Sequence, residues 1–100
     1  MDANEFKVKE LLEATGQSTA LTDREKHLVG LAVTVTRGCS VCTGGRIEKA
    51  LAAGIEYETI RSTIDLVAAV NAGVALRTAL EGASTVAACA DGSCTTGTPS

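Results

Sequence analysis

Aromatic residues make up only 2% of this 100-residue chain; tryptophan is absent, and there is one proline and one histidine. A core without rings must be built from alanine, valine, leucine and isoleucine, and such short side chains suit closely packed helices. There is no excess of positive charge, the formal net charge being -3, which argues against a nucleic-acid partner, since such a partner requires a basic patch. The opening Met1-Asp2-Ala3-Asn4-Glu5 is acidic and lacks the apolar stretch of a signal peptide. The sequence also shows no uninterrupted apolar run of about 18 residues, the length that spans a bilayer. These absences predict a cytoplasmic protein with neither a nucleic-acid nor a membrane partner. A chain of this length makes one small domain whose core is modest, so oligomerisation is an expected way to bury more.

What is present reads as helix throughout. Over residues 4–14, Phe6, Val8, Leu11 and Leu12 mark one apolar side, and Gly16 ends the run. Thr22 and Glu25 stand in the spacing of a capping box, in which each side chain bonds the other residue's backbone N–H. Leu28, Leu31, Ala32 and Val35 follow at helical intervals until Gly38. A third helix is expected over residues 40–53, with Gly54 as a left-handed terminator and Ile55 packing back. A fourth, over residues 57–70, is expected to bury Ile60, Ile64, Val67 and Ala68. Asn71-Ala72-Gly73 is expected to kink or break it before a last stretch over 74–80. Beyond Gly82 the chain turns to alanine, serine, threonine and glycine. The expected organisation is thus one all-α domain over residues 1–82 and a flexible tail over 83–100.

The most informative motif is Cys39-Ser40-Val41-Cys42, at the start of the third helix. Two thiols one helical turn apart can close a disulfide, and a helix N-terminus stabilises a thiolate. The same spacing also supplies one knuckle of a zinc site, for which Cys89 and Cys94 would complete a four-thiolate set. A third reading is that both cysteines pack as small apolar residues. In a reducing compartment, catalytic or metal-binding roles outrank structural disulfides. Cys89 and Cys94 themselves read as idle tail thiols, a second disulfide, an electron relay or metal ligands. Gly44 and Gly45 follow the pair inside a helix, where each costs about 1 kcal/mol relative to alanine. Tight helix–helix packing or close approach of a substrate to the sulfurs would justify them.

The run Lys26-His27-Leu28-Val29-Gly30-Leu31-Ala32-Val33, followed by Arg37-Gly38-Cys39-Ser40-Val41-Cys42, by Ala50-Leu51-Ala52-Ala53-Gly54 and by the helix holding Glu58 and Ile60, resembles the carboxymuconolactone decarboxylase superfamily. The likeness is to its alkylhydroperoxidase D-like branch and covers residues 21–80. It implies a small orthogonal helical bundle that assembles into dimers, trimers or hexamers. It also implies a cysteine pair that reduces peroxides or disulfides without a bound cofactor and is itself reduced by a dithiol or lipoyl-type partner. Decarboxylase members lack the pair, which argues against decarboxylation.

The resemblance further implies two proton-relay groups: a histidine one turn after the second cysteine and a glutamate about three turns before the first. Here Arg46 stands in the first place and His27 in the second. Arginine stays charged at any working pH and cannot pass a proton. Arg46 shares a helix face with Cys42, where it is expected either to lower that thiol's pKa or to pack as a surface arginine beside Glu48 or a neighbouring subunit. His27, the sole histidine, is expected either to take over proton transfer or to act as a structural hydrogen-bonder or surface residue. Cys39, Cys42, His27 and Arg46 are therefore the candidate catalytic residues of a thiol–disulfide oxidoreductase. The competing expectations are a metal-binding module and a degenerate subunit retained for assembly.

Overall fold

The computed structural model describes residues 1–90, with side chains through residue 87. The described residues are all helical, without strands: a short 3-10 turn (Ala3–Glu5), then α1 (Val8–Gly16), α2 (Asp23–Arg37), α3 (Ser40–Ala52) and α4 (Tyr57–Ala90). The described residues divide into two units, the first Met1–Ile64 and the second beginning at Asp65, and α4 begins in the first and runs on in the second to Ala90.

Each helix start and stop in the first unit has a local cause. The first helical stretch is displaced from the expected 4–14 because Asp2 and Glu5 form a capping box that commits residues 3–5 to a separate turn. α2 starts at Thr22, whose hydroxyl accepts from Glu25 N at 3.1 Å while its own N–H donates to the Glu25 carboxylate at 2.8 Å. Gly38, at φ +76°, ends α2. Its N–H donates to Val35 O, and Cys39 N donates to Thr34 O, both at 3.1 Å. Gly54 at φ +85° does the same for α3, with Gly54 N bonded to Leu51 O and Ile55 N to Ala50 O, both at 3.0 Å. These paired bonds form the Schellman arrangement, and only a residue that tolerates positive φ enters it without strain.

The core is small. Leu31 of α2, Ala50 of α3, Ile55 of the connection and Ile60 of α4 are buried, with Leu28, Val35, Ile47 and Ile64 packed around them. Ala50 lets α2 approach α3 closely, and Ile55 follows the left-handed turn directly into the core. Arg24 Nη2 donates to Thr59 Oγ1 at 3.1 Å, joining the start of α2 to the first turn of α4. Lys26 Nζ donates to Gly16 O at 2.7 Å, tying the end of α1 to α2.

α4 departs from expectation in three ways. It passes through Asn71-Ala72-Gly73 without a break, and the Asn71 amide donates to Val67 O at 2.9 Å, one turn back. The alanines at 68, 69, 72, 75 and 79 offset the cost of Gly73 by their high helix propensity. It also continues past Gly82 to Ala90, so the boundary expected at residue 82 falls inside a helix. Finally, Tyr57–Ala87 is long and apolar enough, by length and composition, to cross a membrane, with a hydropathy of 1.3. No uninterrupted run announces this because Arg77 and Glu81, ion-paired at 3.2 Å, punctuate it. A helix that packs in an assembly passes the same test. Leu66, Val70, Val74, Leu76 and Leu80 all stand exposed along this helix.

Candidate redox site

Cys39 is the N-cap of α3, held in extended backbone by the Gly38 turn that ends α2. Its Sγ accepts the Cys42 N–H at 3.2 Å, filling the role a serine or aspartate oxygen plays at other helix starts. Cys39 and Cys42 are joined as a disulfide, with Cα atoms 5.3 Å apart. One helical turn brings the sulfurs together, and the sulfur that caps the helix lies where the N-terminal N–H groups and dipole favour negative charge.

The two cysteines differ in exposure. Cys39 is half-buried and Cys42 exposed. Beside the pair lies an open groove of about 420 Å³, whose wall includes Val35, Gly38, Cys39, Thr43, Gly44 and Ile47. A Cβ at Gly44 or Gly45 would meet no atom within 4 Å. Packing within the described chain therefore does not require these glycines. Gly44 puts no side chain into the groove beside Cys39.

Two threonines that spacing alone did not single out brace this corner. Thr43 Oγ1 lies 2.7 Å from Cys39 O and 3.1 Å from Thr34 Oγ1, so its one proton is shared between them. Thr34 Oγ1 in turn donates to Leu31 O at 3.1 Å. Their signal in the sequence is weak, since a threonine inside a helix most often bonds the carbonyl one turn back and nothing more.

Neither candidate relay residue, His27 nor Arg46, forms a hydrogen bond to the sulfurs among the described residues. His27 is half-buried on α2, on the face it shares with Leu31 and Thr34, about 10 Å along the helix from Thr34 at 1.5 Å per residue. Among the described residues it makes no hydrogen bond to the disulfide. Arg46 is half-buried and its guanidinium turns to α2, where a Cβ built on Gly30 would lie 2.6 Å from Nη1 and 2.7 Å from Cζ. No hydrogen bond joins Arg46 to Cys42 among the described residues, and the guanidinium lies against Gly30. The helix face is shared, but the long side chain finds its seat on the neighbouring helix. Among the described residues Arg46 forms no ion pair, with Glu48 or any other carboxylate. The clue was Gly30 itself, a glycine inside a helix.

The described residues hold no group of three or more His, Cys, Asp or Glu side chains able to take a metal. Cys94 and the Cys89 side chain lie outside the described residues, and Cys39 and Cys42 are bonded to each other. Residues 7–85 match the model of the carboxymuconolactone decarboxylase family. No curated protein and no solved structure matches the chain.

Proposed function

The chain belongs to the carboxymuconolactone decarboxylase family, and from that membership we propose that it is a thiol–disulfide oxidoreductase acting through Cys39 and Cys42. The observation that carries this reading is the Cys39 cap: its sulfur takes the Cys42 N–H at 3.2 Å while disulfide-bonded to the exposed Cys42. A sulfur so placed leaves readily as a thiolate, because a leaving thiol with a lower pKa departs faster.

In the reducing half-reaction a donor thiolate attacks the exposed Cys42 sulfur, and the Cys39–Cys42 bond breaks. The electron pair of that bond stays on Cys39, which the helix N-terminus holds as a thiolate. A second donor thiol then attacks the mixed disulfide and releases Cys42, leaving an oxidised donor and a reduced dithiol. In the oxidising half-reaction Cys42 attacks a substrate disulfide and expels one substrate thiolate. Cys39 then attacks Cys42 and expels the other, restoring the Cys39–Cys42 bond. Two electrons pass from donor dithiol to substrate disulfide, and the two thiolates released take up protons from solvent. With Arg46 in the place of the relay histidine, this exchange is favoured over peroxide reduction, which needs a proton for the leaving alkoxide. The donor is a dithiol or lipoyl-type protein, as the family resemblance implies.

The same reading includes a homo-oligomer. The apolar side chains of α4 that stand exposed in one chain support it, since a soluble chain with so small a core gains by covering them.

The test is a redox titration of the purified chain with each cysteine alkylated and read by mass spectrometry. Cys39 and Cys42 should titrate together as a two-electron couple between roughly -200 and -280 mV, the range of cellular dithiol proteins. If the pair stays reduced across the range, or is protected from alkylation only by added zinc, the oxidoreductase reading fails.

A further inference from the structure

Arg46 does more than fill the place of a histidine. A cavity of about 260 Å³ opens beside it, bounded by Leu12, Leu21, Lys26, Val29, Gly30 and Arg46. Its lining combines two cations, Lys26 and Arg46, with the apolar side chains Leu12, Leu21 and Val29. Arg46 is half-buried, and no carboxylate of the described residues pairs with it. Lys26 is also largely covered, its side chain 24% exposed, and spends one N–H on Gly16 O at 2.7 Å. Its other contact, Asp23 at 3.8 Å, is with a carboxylate that is 95% exposed and weakly felt through water. No acidic residue lines the cavity. Leu12, Leu21 and Val29, at 61%, 43% and 54% exposure, leave apolar surface uncovered along its wall.

A half-buried guanidinium without a counter-charge costs free energy that a bound anion recovers, and a planar carboxylate can take two of its N–H groups at once. The cavity, about 260 Å³, has room for a short aliphatic chain. From this juxtaposition we infer a binding site for a small aliphatic monocarboxylate, its head group on Arg46 and Lys26 and its chain against Leu12, Leu21 and Val29. The site goes beyond the oxidoreductase reading and does not depend on it, because Cys39 and Cys42 are not among its walls. Gly30 is the residue that makes it possible, since any side chain there displaces the guanidinium.

Hexanoate is the probe, titrated into the ¹⁵N-labelled, oxidised full chain and followed by the amide resonances of Gly16, Val29 and Gly30 and the Nε–H of Arg46. Saturable shifts with hexanoate are expected, about tenfold weaker binding of hexan-1-ol, and none of hexylamine. Gly30→Ala should weaken hexanoate about tenfold or more while the melting temperature holds or rises, because alanine favours the helix. Arg46→Gln should weaken it similarly. Four results would overturn the inference: no saturable shift, hexylamine binding as well as hexanoate, unchanged binding in a folded Gly30→Ala variant, or Gly30 resonances that follow protein concentration instead of hexanoate. The last would assign Arg46 to an interface between copies of the chain.

Discussion

Thr43 of α3 meets Thr34 of α2 hydroxyl to hydroxyl at 3.1 Å, immediately beside the turn that carries Cys39. Together with the 2.7 Å contact from Thr43 Oγ1 to Cys39 O, it fastens the first turn of α3 to the last turns of α2. Thr43→Val keeps the shape and removes the donor. The expected cost is about 1 kcal/mol of stability by urea denaturation, the usual net value of one intramolecular hydrogen bond. Amide exchange at Cys42 should quicken at the same time, because the cap turn loses its brace. Unchanged exchange would mean that Gly38 and the disulfide alone fix that corner.

A second prediction concerns acid. Thr22 donates its backbone N–H to Glu25, and its side chain is bonded to the same residue; these bonds hold the Glu25 carboxyl below its ordinary value of 4.5. A carboxyl with a lowered folded pKa adds stability above its unfolded pKa and loses it as pH falls through the folded value. The contribution of the capping box is therefore complete at neutral pH and fades below pH 4.5. Thr22→Ala should cost about 1 kcal/mol at neutral pH, as loss of a helix N-cap does. Its stability should also fall less steeply with acid than that of the parent chain, measured by urea melts between neutral pH and the acid limb. Parallel acid limbs would detach Glu25 from Thr22.

The core makes a third. Leu31 and Ile60 are the largest side chains that are fully enclosed, at 0% and 2% exposure. Truncating either to alanine removes buried methyl groups and leaves a cavity, at about 2–5 kcal/mol. Few other buried residues share the load, so Ile60→Ala is expected to lower the melting temperature clearly in calorimetry. A loss well under the lower figure would show that the site collapses around the smaller side chain.

Much of this fold is written locally. Thr22 and Glu25, Gly38, and Gly54 with Ile55 each carry a helix boundary within a few residues, and the structure uses all of them as spacing predicts. α4 was less legible because Asn71-Ala72-Gly73 and Gly82 are local breakers, whereas persistence is set by the alanine-rich neighbours and by i to i−4 side-chain bonds such as Thr85 Oγ1 to Glu81 O at 3.1 Å. At the candidate site, Cys39 and Cys42 follow from their spacing, and the position of Cys39 as a cap follows from Gly38. The seat of Arg46 does not. Position on a helix fixes where a side chain starts, but an arginine reaches across to another helix, and only the pairing of α2 with α3 brings Gly30 beneath it. Thr34 and Thr43 were hidden for the same reason, nine residues apart in sequence but joined across two helices.

The apolar length of α4 gives a fourth prediction. Leu66, Val70 and Val74 succeed one another at intervals of one turn and are all exposed, at 66%, 59% and 60%. If these side chains are covered in an assembly, Val70→Glu should shift the chain toward monomer in light scattering coupled to size exclusion. Helix content should be kept, because glutamate is a good helix former. A monomeric parent chain, or an assembly untouched by the glutamate, would place the oligomer contacts elsewhere or remove them. Recovery of the parent chain only with detergent or lipid would instead point to a membrane as the partner of this helix.

The two cysteines differ in exposure, and that difference predicts which forms the mixed disulfide. Cys42 is exposed and Cys39 is half-buried as the cap, so an incoming thiol reaches Cys42 and expels Cys39. Cys39→Ser should therefore trap a stable adduct between Cys42 and a disulfide probe such as oxidised glutathione. The resolving sulfur is gone, and serine still caps the helix. Cys42→Ser leaves the half-buried thiol alone and should give the adduct more slowly, by about tenfold on the scale that access and thiolate character set for exchange. Rates followed by intact mass would separate the two variants under one set of conditions. Faster trapping at Cys39 would reverse the assignment, making stabilisation by the helix N-terminus outweigh access. Equal rates would mean that the half-burial of Cys39 is relieved as soon as the disulfide opens, and that the groove beside it, rather than either sulfur, selects the substrate.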